Sequence, residues 1–99
     1  MRKHFLLIYH YAPDYIERRA EFRAHHLTLA DAAAASGDLI LGGALTDPFD
    51  TGLLLFLSID KSTAEAFATS DPYVINGLVE RYEVRHWITV AVPLAAEPV

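Results

Sequence analysis

Apolar and polar positions along this chain change their period in a regular order. The run KHFLLIYHY, Lys3 to Tyr11, concentrates aromatic and branched residues and stops before Pro13, which predicts a strand. From Asp14 to Ser36 the spacing turns helical, with Pro13 near the start and Gly37 placed as the C-terminal cap. DLILGGAL, Asp38 to Leu45, predicts a second strand. TDPFDTG, Thr46 to Gly52, is dense in turn formers and predicts a hairpin loop. Leu53 to Ile59 is the third strand. Ser62 to Asp71 reads as a short helix, with Ser62 as its cap and Glu65 completing a capping box. The DPY stretch from Asp71 then breaks or re-aims the chain. Glu80 to Val92 is the last strand, and the tail PLAAEPV is expected to fray. Residues 1–92 are thus expected to form one domain, with 93–99 as a C-terminal tail.

The order β-α-β-β-α-β is the ferredoxin-like arrangement. It predicts an α+β fold, a four-stranded antiparallel sheet with two helices on one face. One strand does not fit a sheet covered on a single side. Leu53, Leu55 and Leu57 share one face of the third strand, and Leu54 and Phe56 share the other. A half-solvated sheet alternates more cleanly than this. The second face therefore needs a cover that the two helices do not supply, and a second copy of the chain is the natural one. A homodimer, or a higher oligomer, is expected.

Composition narrows the field. Apolar residues make up 53% of the 99, above the usual ~45–50%, in keeping with burial against another copy. Eight Lys and Arg stand against 13 Asp and Glu, a formal charge of −5, with no basic run. That argues against nucleic acid, whose phosphates demand a cationic face, and against anionic membrane surfaces. No segment reaches the ~18 apolar residues of a membrane helix. The absence of cysteine excludes disulfides and thiol chemistry and suits a reducing compartment, so the expected address is cytoplasmic.

The adjacent histidines His25 and His26 point about 100° apart on the first helix. With His26 as reference, Tyr15, Phe22, Leu29, Ala30 and Ala33 all fall within about 60° of it. His26 is expected to face inward and His25 to face water. Arg19 spoils the apolar stripe and is expected to snorkel to solvent from near the helix start. A histidine on an apolar face is commonly a hydrogen-bonded core residue, yet imidazole also serves as an acid or base near neutral pH. Asp71 offers a partner. Pro72 disfavours helical geometry there, and a carboxylate in such a turn can fix the tautomer of an imidazole. The plainer view of Asp71 is a helix stop. Five histidines occur, His4, His10, His25, His26 and His86, but none shows metal-ligand spacing, so no metal and no cofactor are expected.

Arg23, His26-Leu27, Gly37, the strand ending in Gly43, Asp71-Pro72-Tyr73 and Glu80 together resemble the YciI-like (YCII-related domain) family over nearly the whole chain. The Arg-x-x-His-Leu and Asp-Pro-Tyr elements carry the likeness as a pair. The resemblance implies a ferredoxin-like dimer of the dimeric α+β barrel type. It also implies a pocket holding a catalytic His–Asp dyad, His26 and Asp71. Where an activity is known in the family, it is of the dehydrochlorinase or lyase type on small hydroxylated rings. Ala44 stands where the family often has proline, and the acidic loop with Asp47 and Asp50 varies in the family, so the substrate is not carried over.

Two functions follow as expectations. One is an enzyme of lyase, dehydrochlorinase or isomerase type, with His26 and Asp71 catalytic and Arg23, Tyr9 and Tyr73 contacting a small cyclic substrate. The other is a non-catalytic dimeric module that binds a small ligand or a partner. A third reading is purely structural, with His26 hydrogen-bonded in a filled core; a cavity touching both His26 and Asp71 favours the first two.

Overall fold

The computed structural model describes residues 1–98; Val99, the last residue of the expected tail, lies outside the described residues. The elements run β1 (Lys3–Tyr11), α1 (Tyr15–Ala35), β2 (Leu39–Leu45), β3 (Thr51–Ser58), α2 (Ser62–Ser70), α3 (Pro72–Ile75) and β4 (Val79–Trp87). The four strands form one sheet in the order β2-β3-β1-β4, with every neighbouring pair antiparallel. This is the ferredoxin-like α+β arrangement, with the helices on one face.

Strand parity sorts the side chains. Leu7 and Tyr9 of β1 face the same side as Leu54 and Phe56 of β3, and all four are buried beneath the helices. From α1, Tyr15 joins this core, and Phe22, Leu29, Ala30 and Ala33 pack against it. These are the positions that the helical period placed around His26. The second helix contributes Ala64, Phe67 and Ala68. At the end of α1, Gly37 takes φ +85°, a conformation open to glycine at no steric cost. The Gly37 N–H then donates to the Ala34 carbonyl and the Asp38 N–H to the Ala33 carbonyl, which closes the helix end.

The opposite face of the sheet is open and apolar. Leu6 and Ile8 lie there beside Leu53, Leu55 and Leu57, flanked by Leu41 and Trp87. Gly42, Gly43 and Ala44 of β2 border a groove on this face and also line a cleft on the helical side.

Several boundaries depart from the periodic pattern. The third strand begins at Thr51, two residues earlier than its leucine run. Ser62 does not cap α2. The helix is entered from Lys61, and the Asp60 carboxylate accepts from the Ser62 N–H and hydroxyl instead. The break expected at Asp71 is sharp, but a further short helix, α3, follows it. β4 ends at Trp87, not Val92, because Trp87 pairs with His4 and β1 begins one residue before that. Nor does the tail fray as far as Glu97. Thr89 is hydrogen-bonded to His4 Nδ1 at 2.6 Å, the Glu97 N–H donates to the Thr89 carbonyl, and the Glu97 carboxylate meets His86. Residues 88–97 fold back on the end of β4.

Gly52 has a separate role. A Cβ at this position would fall on the Tyr11 hydroxyl and lie within 2.8 Å of Tyr11 Cζ. Tyr11 has little room to yield, since its ring stacks on Tyr15 at 3.7 Å. Gly52→Ala is expected to lower stability by about 1–3 kcal/mol, the usual range for overpacking, measured by urea denaturation, and to displace the Tyr11 ring.

Candidate active site

Asp71 is the centre of the site, and Pro72 sets its backbone. The residue before a proline avoids the helical region, and Asp71 accordingly leaves α2 with ψ 124°. Its side chain turns back to accept the Tyr73 N–H at Oδ1, 3.0 Å. Tyr9, reaching from β1, donates its hydroxyl to Oδ2 at 2.8 Å. His26 Nδ1 lies 3.0 Å from Oδ1 and 2.9 Å from Oδ2. Asp71 is 0% exposed. A carboxylate is an acceptor only, and three donors from β1, α1 and the start of α3 converge on this one.

This network fixes the imidazole. Asp71 accepts, so Nδ1 carries the proton and Nε2 is the free acceptor. The ring is clamped by stacking on Tyr73, with centroids 4.1 Å apart and planes 12° apart, and by the edge of Phe67. Its side chain is 16% exposed. Among the described residues no buried side-chain nitrogen or oxygen lacks a partner. Nε2 has no partner among the described residues and therefore opens onto the cleft that His26 lines.

The cleft has a volume of about 330 Å³. Tyr9, Tyr73 and Leu54 contribute to one part of its wall, and Tyr11, Tyr15 and Phe49 to another. Space comes from small residues, Ala30 on α1 and Gly42, Gly43 and Ala44 on β2. Tyr11, Tyr15 and Phe49 stack with centroid separations of 3.7–6.3 Å. Phenols in this setting hold their protons. Burial pushes Tyr9 and Tyr11 far above the ordinary phenol value, and Asp71 adds to the effect on Tyr9 through its charge and hydrogen bond. Burial, then Tyr15, pushes Tyr73 up to about 12, with Arg23 opposing.

The structure thus brings His26, Asp71, Tyr9 and Tyr73 together; His26, Tyr9, Tyr73 and Arg23 line the cleft, whereas Asp71 is sealed behind them, so the cavity expected to touch both His26 and Asp71 touches His26 alone. Tyr9, expected to contact the substrate, lines the cleft, but its hydroxyl is engaged with Asp71. His25 is exposed, as its place on the helix implied. Arg19 was expected to reach plain solvent, but it lines the cleft one turn before Arg23. Tyr11 and Phe49 were not singled out by periodicity, and Tyr15 entered only as part of the apolar stripe around His26, not as a wall of the cleft. The one signal for Phe49 was an aromatic side chain amid turn formers. Among the described residues no group of three His, Asp or Glu side chains is placed to hold a metal ion.

Residues 3–88 match the YCII-related domain, and the chain belongs to that family. The fold is shared with a solved structure, the 5-chloro-2-hydroxyhydroquinone dehydrochlorinase TftG from Burkholderia phenoliruptrix AC1100, in complex with 2,5-dihydroxybenzoquinone. The TM-score is 0.72 at 19% identity, and the match covers 87% of this chain and 94% of that one. No curated protein matches the chain.

The phenol values give a test in alkali. A raised phenol pKa contributes stability that is complete below the unfolded value of about 10 and is lost as pH climbs through the folded value. Tyrosinate absorbance at 295 nm is expected to show Tyr9, Tyr11 and Tyr73 still protonated at pH 10. Tyr73 should titrate only near pH 12, Tyr9 and Tyr11 later still or with unfolding, and stability should fall as pH climbs above 10. Ionisation of these three at pH 10 in the folded protein, checked with single Tyr→Phe variants, would contradict the packed cleft.

Proposed function

We propose that this chain is an enzyme that moves a proton on a small hydroxylated ring, as a lyase, dehydrochlorinase or isomerase. The observation that carries this is the His26–Asp71 hydrogen bond, which leaves Nε2 facing a cleft of single-ring size. Nε2 accepts a proton from the bound ring and returns it, or passes it to water, later in the cycle. Asp71 holds the imidazole in the required tautomer and stabilises the imidazolium that forms. Arg23 lines the same cleft and meets an anionic group of the bound ring. Tyr73 stacks on His26 and aligns it, and Tyr9 holds the carboxylate. The shared fold with TftG, whose name describes a dehydrochlorinase acting on a hydroxyhydroquinone, supports a ring substrate. A dehydrochlorinase reaction in this site would balance as loss of HCl: the proton goes to Nε2, and its bonding electrons pass through the ring to expel chloride.

The test is turnover of a panel of hydroxylated and chlorinated six-membered rings by the wild type and two variants. His26→Gln and Asp71→Asn are each expected to lower kcat by about 10²–10⁴-fold, the usual contribution of general acid–base catalysis. Their circular dichroism should stay native. Binding without turnover across the panel would replace the enzyme with a ligand-binding module.

The domain in this proposal spans residues 1–92 and works as a homodimer in the cytoplasm. No helix among the described residues is long and apolar enough to cross a membrane. The open sheet face supports the dimer. Leu41 is 70% exposed and Trp87 49%, beside Leu6, Leu53 and Leu55 in one groove. A contiguous apolar surface of this kind marks an interface. Sedimentation at micromolar concentration is expected to give twice the chain mass, and Leu55→Glu to shift it toward monomer. A wild-type monomer under those conditions would remove the dimer.

A further inference from the structure

The charge of the cleft is opposite to the charge of the chain. Acidic residues outnumber basic ones by 13 to 8 overall, yet the lining holds Arg19 and Arg23 and no Asp or Glu. Among the described residues neither arginine has a carboxylate within 4 Å, whereas Arg2, Arg18 and Arg81 each have one. Arg19 instead rests its guanidinium over the Phe49 ring, 5.7 Å from the centroid. That contact orients the guanidinium and leaves its charge uncompensated.

We infer that Arg19 and Arg23 form a clamp for a carboxylate borne by the substrate ring, at the end of the cleft away from the His26 Nε2. This rests on the reading of the cleft as a site for a small ring. The spacing is that of one helix face. Arg19, Arg23 and His26 follow at i, i+4 and i+7, so Arg23 lies about 4.5 Å and Arg19 about 10.5 Å from His26 along the axis. Along the axis the midpoint of the two arginines is about 7.5 Å from His26, a separation that one substituted six-membered ring can bridge. Two guanidinium forks match the two oxygens of a carboxylate better than they match a single hydroxyl oxygen. The cavity of about 330 Å³ is at the small end of ligand sites, so it takes one ring and its carboxylate and nothing much larger. Phe49, Tyr11 and Tyr15 supply the flat wall against which such a ring lies. Arg19 is therefore a specificity-determining residue, and Phe49 positions it.

The experiment compares two probes of one shape, 4-hydroxybenzoate and hydroquinone, titrated into the full chain by calorimetry with amide NMR to place the site. The carboxylated ring is expected to bind at least about tenfold more tightly, the scale of a charge-assisted hydrogen bond. Its affinity should fall with added salt, and that of hydroquinone should not. Arg19→Gln and Arg23→Gln should each erase most of the preference, and Arg19→Lys should retain part of it. Arg23 is exposed and Arg19 half-buried, so neither is a core position, and thermal melting checks that each variant is folded. Equal binding of the two probes in the cleft, or a preference unchanged in Arg19→Gln, overturns the clamp and leaves the ring-binding site standing. Failure of both probes to bind overturns the clamp and the single-ring reading together. Loss of turnover in His26→Gln tests the dyad separately and does not bear on the clamp.

Discussion

A carboxylate sealed from water governs the helical side of this molecule. An ion in that position is costly unless hydrogen bonds replace its hydration. Asp71 obtains them from three places in the fold: the Tyr9 hydroxyl on β1, the His26 imidazole on α1 and the Tyr73 amide at the start of α3. Satisfying one side chain thus fixes the central strand, the long helix and the turn after α2 relative to one another. The same bonds determine which imidazole nitrogen is protonated. Architecture and candidate chemistry draw on a single set of contacts, so a change at Asp71 is felt by both.

The cleft beside it exists because small residues face one another. Ala30 on α1 and Gly42, Gly43 and Ala44 on β2 leave a gap where larger side chains would meet. Large aromatic residues then line the gap without filling it. Tyr11 can lie flat only because Gly52 has no side chain, and Tyr15 and Phe49 continue the stack. Rigidity comes from rings packed on rings, and emptiness from glycine and alanine.

Much of this was legible in the residue pattern. The period of α1 singled out His26 over His25, and β1 has the bounds that its apolar run predicted. The proline after Asp71 marked the turn correctly but concealed α3. Four residues are too few to show a helical period, and a proline that stops one helix also suits the first turn of the next. Nothing in the pattern of β1 says which acceptor the Tyr9 hydroxyl finds 62 residues away. Arg19 was misread for a related reason. A polar residue on an apolar stripe looks the same whether it reaches bulk water or the mouth of a cleft. The ends of β4 and the tail escaped because they depend on where β1 runs out and on His4 and His86, both distant in sequence.

The chain has one tryptophan and five tyrosines, and the fold separates them. Trp87 stands half-exposed on the open sheet face, while four of the tyrosines, at 9, 11, 15 and 73, line the cleft on the other side. The two chromophores therefore view different events through one sheet. Indole emission reports on whatever covers the leucine surface and should shift to the blue as water leaves it. Phenol signals report on what enters between Phe49 and His26. Assembly can thus be followed by indole emission, excited where phenols do not absorb, and ligand entry by tyrosine absorbance, both in unlabelled protein.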